Sequence, residues 1–152
     1  MALKVGAKAP SFTLATDGGG NISLKDFKGK KVALYFYPKD NTPGCTTEAC
    51  DFRDDFPNFK KLKAEIIGVS KDSVASHDKF KHELPFSLGS DSDGKVCAAY
   101  GVWQEKMLYG RKFMGIVRST FFIDEAGILR GIWPKVKVKG HAEEVMTAIK
   151  AL

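Results

Sequence analysis

Residues 31–37, Lys-Val-Ala-Leu-Tyr-Phe-Tyr, form a short and nearly unbroken apolar run of strand-forming residues, stopped by Pro38. A run of this length without polar alternation suits a strand covered on both faces, so the chain must supply layers above and below it. Five residues further on, Pro43-Gly44 opens a different pattern. Cys45, Ala49, Phe52, Phe56 and Phe59 step by four, three, four and three, which draws one apolar stripe along a helix. A doubly buried strand followed by a helix with a single apolar stripe requires an α/β layered fold, with the intervening loop at the carboxyl end of the strand. Open α/β sheets commonly place their sites there.

The rest of the chain extends this reading. Residues 12–15 and 22–24 alternate around turn residues 16–21 and predict an N-terminal β-hairpin. Residues 64–70 predict a second buried strand and 73–83 a helix ended by Leu84-Pro85, with a short extended piece at 86–88. Residues 95–100 read as a short helix closed by Gly101. Residues 117–123 and 128–133 read as an antiparallel hairpin turned at 124–127. Residues 140–152 close the chain as a helix with Ala142, Val145, Met146 and Ile149 inward. Pro57 cannot donate to the Arg53 carbonyl, so a kink or break is expected near Phe56, leaving the first long helix in two pieces. The sum is one domain over residues 1–152, a thioredoxin-like α/β fold with a mixed central sheet flanked by helices.

Composition narrows the function classes. The 152 residues are 43% hydrophobic, enough for one full core. The net charge is +6, but the 24 Lys and Arg are scattered among 18 Asp and Glu, without the basic stripe that nucleic-acid binding needs. No long apolar run and no secretory h-region is present in the sequence, so a cytoplasmic protein with no membrane association is expected. Three cysteines do not suggest a structural disulfide framework.

Two of those cysteines lie in Pro-Lys-Asp-Asn-Thr-Pro-Gly-Cys-Thr-Thr-Glu-Ala-Cys, residues 38–50. Cys45 stands in the first turn of the predicted helix, where unpaired amide groups favour a thiolate, the reactive form of cysteine. A buried, inert thiol is the alternative there, and more so for Cys50, since a helical cysteine needs no function. Cys97, among Val96, Ala98 and Tyr100, reads as a buried structural thiol with a backup redox role as its alternative. Arg118 heads an apolar strand and on composition alone reads as a salt-bridge partner. His77, His82 and His141 share no ligand spacing with the cysteines and read as surface residues, and no metal or organic cofactor is implied. Trp103 and Tyr109 read as packing residues.

The pattern Pro38-x-x-x-Thr42-x-x-Cys45 within this stretch resembles the active-site signature of peroxiredoxins, and most nearly the bacterioferritin-comigratory protein (PrxQ) group. Further matches run along the chain at residues 99–103, Tyr109-Gly110 and 115–124. The resemblance implies a thiol peroxidase acting on hydrogen peroxide and organic hydroperoxides. Cys45 would be the attacking thiol, oxidised to a sulfenic acid, and Cys50 the resolving thiol that forms an intramolecular disulfide with it. Thr42 would bond sulfur or peroxide, Pro38 would shield the pocket, and the family's invariant arginine maps onto Arg118. Glu48 would bond back to the helix start or orient Arg118. A thioredoxin-like dithiol protein would recycle the disulfide, and resolution within one chain suits a monomer. Two other classes fit parts of this reading. A thioredoxin-type oxidoreductase would call for Cys-x-x-Cys at the helix start, and a non-enzymatic redox sensor or chaperone would use Cys45 only to expose a surface.

On an ideal helix, five residues separate Cα atoms by about 8.6 Å. A disulfide needs about 4.4–6.8 Å. Pairing of Cys45 with Cys50 therefore requires the first helical turns to unwind.

Overall fold

The computed structural model describes residues 3–16, 20–40, 42–80 and 84–151. Alternation builds the edge of the sheet first: β1 (Thr13–Thr16) and β2 (Asn21–Ser23) pair antiparallel, with Leu14 opposite Ile22. The tip of this hairpin, 17–19, lies outside the described residues. A 3₁₀ turn, Leu24–Phe27, leads to β3 (Lys31–Phe36). The long helix α1 (Pro43–Lys61) follows, then β4 (Ala64–Ser70), α2 (Val74–Phe80), β5 (Ser87–Ser90) and α3 (Lys95–Ala99). A hairpin of β6 (Trp103–Leu108) and β7 (Arg111–Ile116) precedes β8 (Ser119–Ile123), β9 (Leu129–Trp133) and α4 (His141–Lys150).

Seven strands form one mixed sheet in the order β2-β1-β5-β4-β3-β8-β9. β3, β4 and β5 run parallel, whereas β8 lies antiparallel to β3 and β9 antiparallel to β8. As its run of apolar residues requires, β3 is interior and serves both faces. Val32, Leu34 and Phe36 enter one core with Val96, Cys97 and Tyr100. Ala33, Tyr35 and Tyr37 enter the other, beneath α1 and α4, with Phe52, Phe59, Val145 and Ile149. Each such fully buried apolar side chain contributes about 1.5–3 kcal/mol.

Three expectations need correction. α1 runs through Pro57 as one element. The proline removes one helical bond, at a cost of about 3 kcal/mol, but Phe52 before it and Phe59 after it are both fully buried on the same face, and their packing holds the two halves in line. His77 and His141 are buried, not at the surface; His82 lies outside the described residues. His141 is held by Thr120 (Nε2 to Oγ1, 2.7 Å) and Glu144 (Nδ1 to Oε1, 3.0 Å). Tyr109 does not pack: it is 96% exposed at the tip of the β6–β7 hairpin. Tyr109 and Gly110 both take positive φ there, 52° and 77°, as a two-residue hairpin turn of this twist demands. Trp103, by contrast, packs partly buried against the core, with the Lys71 ammonium 4.1 Å from its ring.

Candidate active site

The register of β3 against β8 builds the site. Phe36 pairs with Ser119, so Arg118, one residue before β8, emerges at the carboxyl end of β3, where the chain turns into α1. The Arg118 backbone is fixed by its carbonyl, which accepts from the Val136 amide at 2.9 Å. Its side chain reaches across to α1. Nη2 donates to Cys45 Sγ at 3.2 Å and Nη1 to Glu48 Oε1 at 2.5 Å. One guanidinium therefore joins two residues a helical turn apart on α1, as i,i+3 spacing permits.

All three partners are withdrawn from water. Cys45 and Glu48 are each 1% exposed and the Arg118 side chain 16%. Burial pushes the Glu48 carboxyl up to about 7, against the pull of the Arg118 guanidinium beside it. Burial opposes the charge on Arg118, and the neighbouring Glu48 and Cys45 outweigh it, so its pKa rises. Gly44 makes the approach possible: a β-carbon there would stand 3.2 Å from Arg118 Nη2.

Thr42 is the N-cap residue of α1, in an extended conformation, but its hydroxyl does not cap the helix. Instead it donates to the Lys39 carbonyl at 2.9 Å, so only its lone pairs remain to meet a ligand. With Pro43 lacking an N–H and Thr46 bonded to the Thr42 carbonyl, the Gly44 and Cys45 amides receive no side-chain cap. Pro38 is half-buried directly after Tyr37, whose amide bonds the Val69 carbonyl at 3.0 Å and ends the strand pairing. The loop thus returns Thr42 to the head of α1.

The structure brings Cys45, Arg118 and Glu48 into contact and places Thr42 and Pro38 on the adjoining loop. Cys50 is a free, half-buried thiol on the same helix, rotated off the buried stripe. Cys97 is fully buried in the other core, beneath the opposite face of the sheet. Among the described residues, no group of three or more His, Cys, Asp or Glu could hold a metal ion, and no helix is long and apolar enough to cross a membrane. Two features escaped the sequence reading, the gap at Gly44 that admits the guanidinium and the buried contact of Asp40 with His77. A buried histidine near charged neighbours carries no local signal, because its carboxylate partner lies 37 positions away.

Residues 5–132 match the AhpC/TSA family. A putative peroxiredoxin bcp of Coxiella burnetii is 55% identical over 148 residues, covering 96% of this chain and 98% of the relative. Peroxiredoxin Bcp of Bacillus subtilis is 52% identical over 152 residues, covering 99% and 97%. Among solved structures, a mutant of Xylella fastidiosa PrxQ aligns with a TM-score of 0.94 at 40% identity, over 99% of this chain and 98% of that one. Xanthomonas campestris bacterioferritin comigratory protein, described for its alkyl peroxide reduction activity, aligns with a TM-score of 0.88 at 46% identity, over 92% and 90%. With matches of this length and identity, the chain belongs to the AhpC/TSA family, among the peroxiredoxins of the Bcp (PrxQ) type.

Proposed function

We propose that this thiol-dependent peroxidase reduces hydrogen peroxide and organic hydroperoxides with Cys45 as the attacking thiol and Cys50 as the resolving one. The observation that carries the assignment is the Arg118 guanidinium 3.2 Å from the buried Cys45 Sγ, with the Arg118 side chain 16% exposed. A cation at that distance in a poorly screened site holds negative charge on sulfur and on an oxygen bound beside it.

The thiolate of Cys45 attacks one peroxide oxygen, the O–O bond breaks, and the other oxygen leaves with the electron pair as alkoxide or hydroxide. Arg118 faces that developing charge, and the Gly44 and Cys45 amides offer further donors. The Thr42 oxygen, its proton already committed to Lys39, accepts from the peroxide hydroxyl. Glu48 positions Arg118 and Pro38 shields the pocket. Cys45 is left as a sulfenic acid, oxidised by two electrons. The Cys50 thiolate then attacks Cys45 Sγ, the S–O bond breaks, the hydroxide that leaves takes a proton from solvent to become water, and an intramolecular disulfide forms. A thioredoxin-like dithiol protein returns both thiols by exchange. Both thiols lie on α1, so the cycle closes within a monomer, and the protein works in the cytoplasm.

The unbroken helix between Cys45 and Cys50 sets the conformational requirement, since their Cα atoms stand about 8.6 Å apart on ideal geometry. Residues 42–50 must unwind before resolution. Peptide mapping by mass spectrometry after one equivalent of peroxide should give a Cys45–Cys50 link, and a dominant Cys45–Cys97 link would overturn the pairing. Cys45→Ser should abolish thioredoxin-coupled peroxide consumption, and retained turnover would remove the attacking role.

A further inference from the structure

A second polar cluster stands behind the loop that carries Pro38 and Thr42, and the chemistry above does not use it. His77 of α2 is fully buried. Its Nδ1 lies 2.7 Å from Asp40 Oδ2 and its Nε2 lies 2.9 Å from the Gly89 carbonyl oxygen of β5. A carboxylate and a carbonyl only accept, so a ring that satisfies both contacts carries a proton on each nitrogen. His77 is thereby an imidazolium paired with a carboxylate. Asp40 also accepts from the Tyr37 hydroxyl at 2.5 Å and the Ser76 hydroxyl at 2.8 Å. Its amide donates to Asp72 Oδ2 at 2.7 Å. Asp40 lies two residues after Pro38 and two before Thr42, so this tie acts on the peptide that carries both.

We propose that Asp40 and His77 are positioning residues of the peroxidase: a charged tie from the loop to α2 that holds Pro38 and Thr42 in place at the head of α1 and anchors the near end of the segment that unwinds. The inference rests on Cys45 being the attacking thiol. Three groups meet the ring, Tyr37 just after β3, Asp40 from the loop and the Gly89 carbonyl from β5, and Asp72 beyond β4 acts on it through its charge. Burial works against charge on His77, but the Asp40 bond and charge, the Gly89 carbonyl and the Asp72 charge outweigh it, so its pKa lies above the ordinary 6.5. Burial likewise pushes Asp40 up, and the bonds from His77, Tyr37 and Ser76 outweigh it, leaving it below the ordinary 3.8. The His77 contribution is fully present below about pH 6.5 and is lost as pH rises through the raised value; the Asp40 contribution is lost only as pH falls through its lowered value. The tie is therefore tight in mild acid and opens as pH rises through the raised His77 value.

Two measurements test this. In the reduced full chain labelled with ¹⁵N-histidine, with His82 and His141 assigned by single substitution, both His77 ring nitrogens should be protonated at pH 6.5. They should titrate above that value together with the amide signals of Lys39, Asp40 and Thr42. A neutral ring at pH 6, or titration that leaves the loop amides unmoved, would overturn the tie. The rate of sulfenic acid formation in His77→Gln and Asp40→Asn should fall about tenfold at pH 6.5, and the deficit should shrink as pH rises through the value at which the His77 ring is seen to titrate. A ratio to wild type that is the same on both sides of the His77 titration would overturn the positioning role. If Cys45→Ser still consumed peroxide, the attacking role would fail, while the ring titration would still report on the tie itself.

Discussion

Cys45 and Cys97 are the two buried thiols of this chain, 1% and 0% exposed, one on each face of the same sheet. Burial is common to both, so burial alone does not tell them apart. What differs is the sign of the charge that faces the sulfur. Cys45 meets the Arg118 guanidinium at 3.2 Å. Cys97 meets Asp91: burial pushes its thiol well up, and the hydrogen bond and charge of Asp91 push it further. Asp91 is held there by local needs, since its two oxygens accept from the Val96 and Cys97 amides at 3.2 and 2.7 Å and cap the start of α3. A carboxylate that serves the backbone thereby keeps Cys97 a neutral thiol.

The comparison breaks most completely if Arg118 is removed. Arg118→Met keeps much of the volume and deletes the cation, which should cost about 10²–10³-fold in the second-order rate constant with peroxide, or about 2.7–4 kcal/mol of transition-state stabilisation. Stopped-flow kinetics of the reduced protein reads this directly. Cys97→Ala in the same assay should leave the rate within about twofold, and an equal loss in both variants would erase the distinction drawn between the two thiols.

Removing the carboxylate on the other side should change stability instead. Asp91→Asn turns one acceptor oxygen into an NH₂ group aimed at a backbone N–H, leaving a buried donor unsatisfied at a cost of about 1–3 kcal/mol. Thermal unfolding should show a lowered Tm, with peroxide kinetics unchanged.

Much of this contrast was legible in the chain, and what was not has a common cause. The apolar run at 31–37 and the stripe Cys45, Ala49, Phe52, Phe56, Phe59 report burial through local periodicity, and β3 and α1 follow that reading, with Phe56 only partly buried. The β6–β7 hairpin was invisible, because four of the six β7 residues are exposed and no buried face imposes alternation. A compact motif singled out Cys45, Thr42 and Pro38 as candidates. Arg118 needed the family resemblance, since it lies 73 positions from Cys45 and reaches it only through the β3–β8 register. Asp40 and His77 failed for the same reason, as partners joined by topology rather than spacing.

Glu48 sharpens the comparison, because it is the carboxylate on the Cys45 side. It holds Arg118 rather than facing sulfur in the contacts described, so Glu48→Gln should weaken positioning and slow peroxide reduction about tenfold, roughly 1.4 kcal/mol. Its pH signature is separate. With a folded value of about 7, above the ordinary 4.5, the protonated carboxyl contributes stability that is fully present below about pH 4.5 and lost as pH rises through 7. The Tm difference between wild type and Glu48→Gln should therefore shift against the wild type between pH 5 and pH 8. A difference that stays constant across that range would show that Glu48 does not titrate there.

The smallest effect separates stability from chemistry most sharply. Gly44 lies in the first turn of α1 without a positive φ, so alanine meets no backbone strain there, and by helix propensity Gly44→Ala should favour folding by up to about 1 kcal/mol. The new β-carbon would stand 3.2 Å from Arg118 Nη2, a few tenths of an ångström too close. A free guanidinium would simply move, but this one is pinned by Glu48 at 2.5 Å on one nitrogen and by Cys45 on the other. Its retreat lengthens the bond to sulfur, and the rate with peroxide should fall about threefold while Tm rises. Opposite signs are required. If rate and Tm rise together, the guanidinium has slack at Cys45 and its distance there is not what tunes the thiol; if both fall, the glycine serves the helix rather than the arginine.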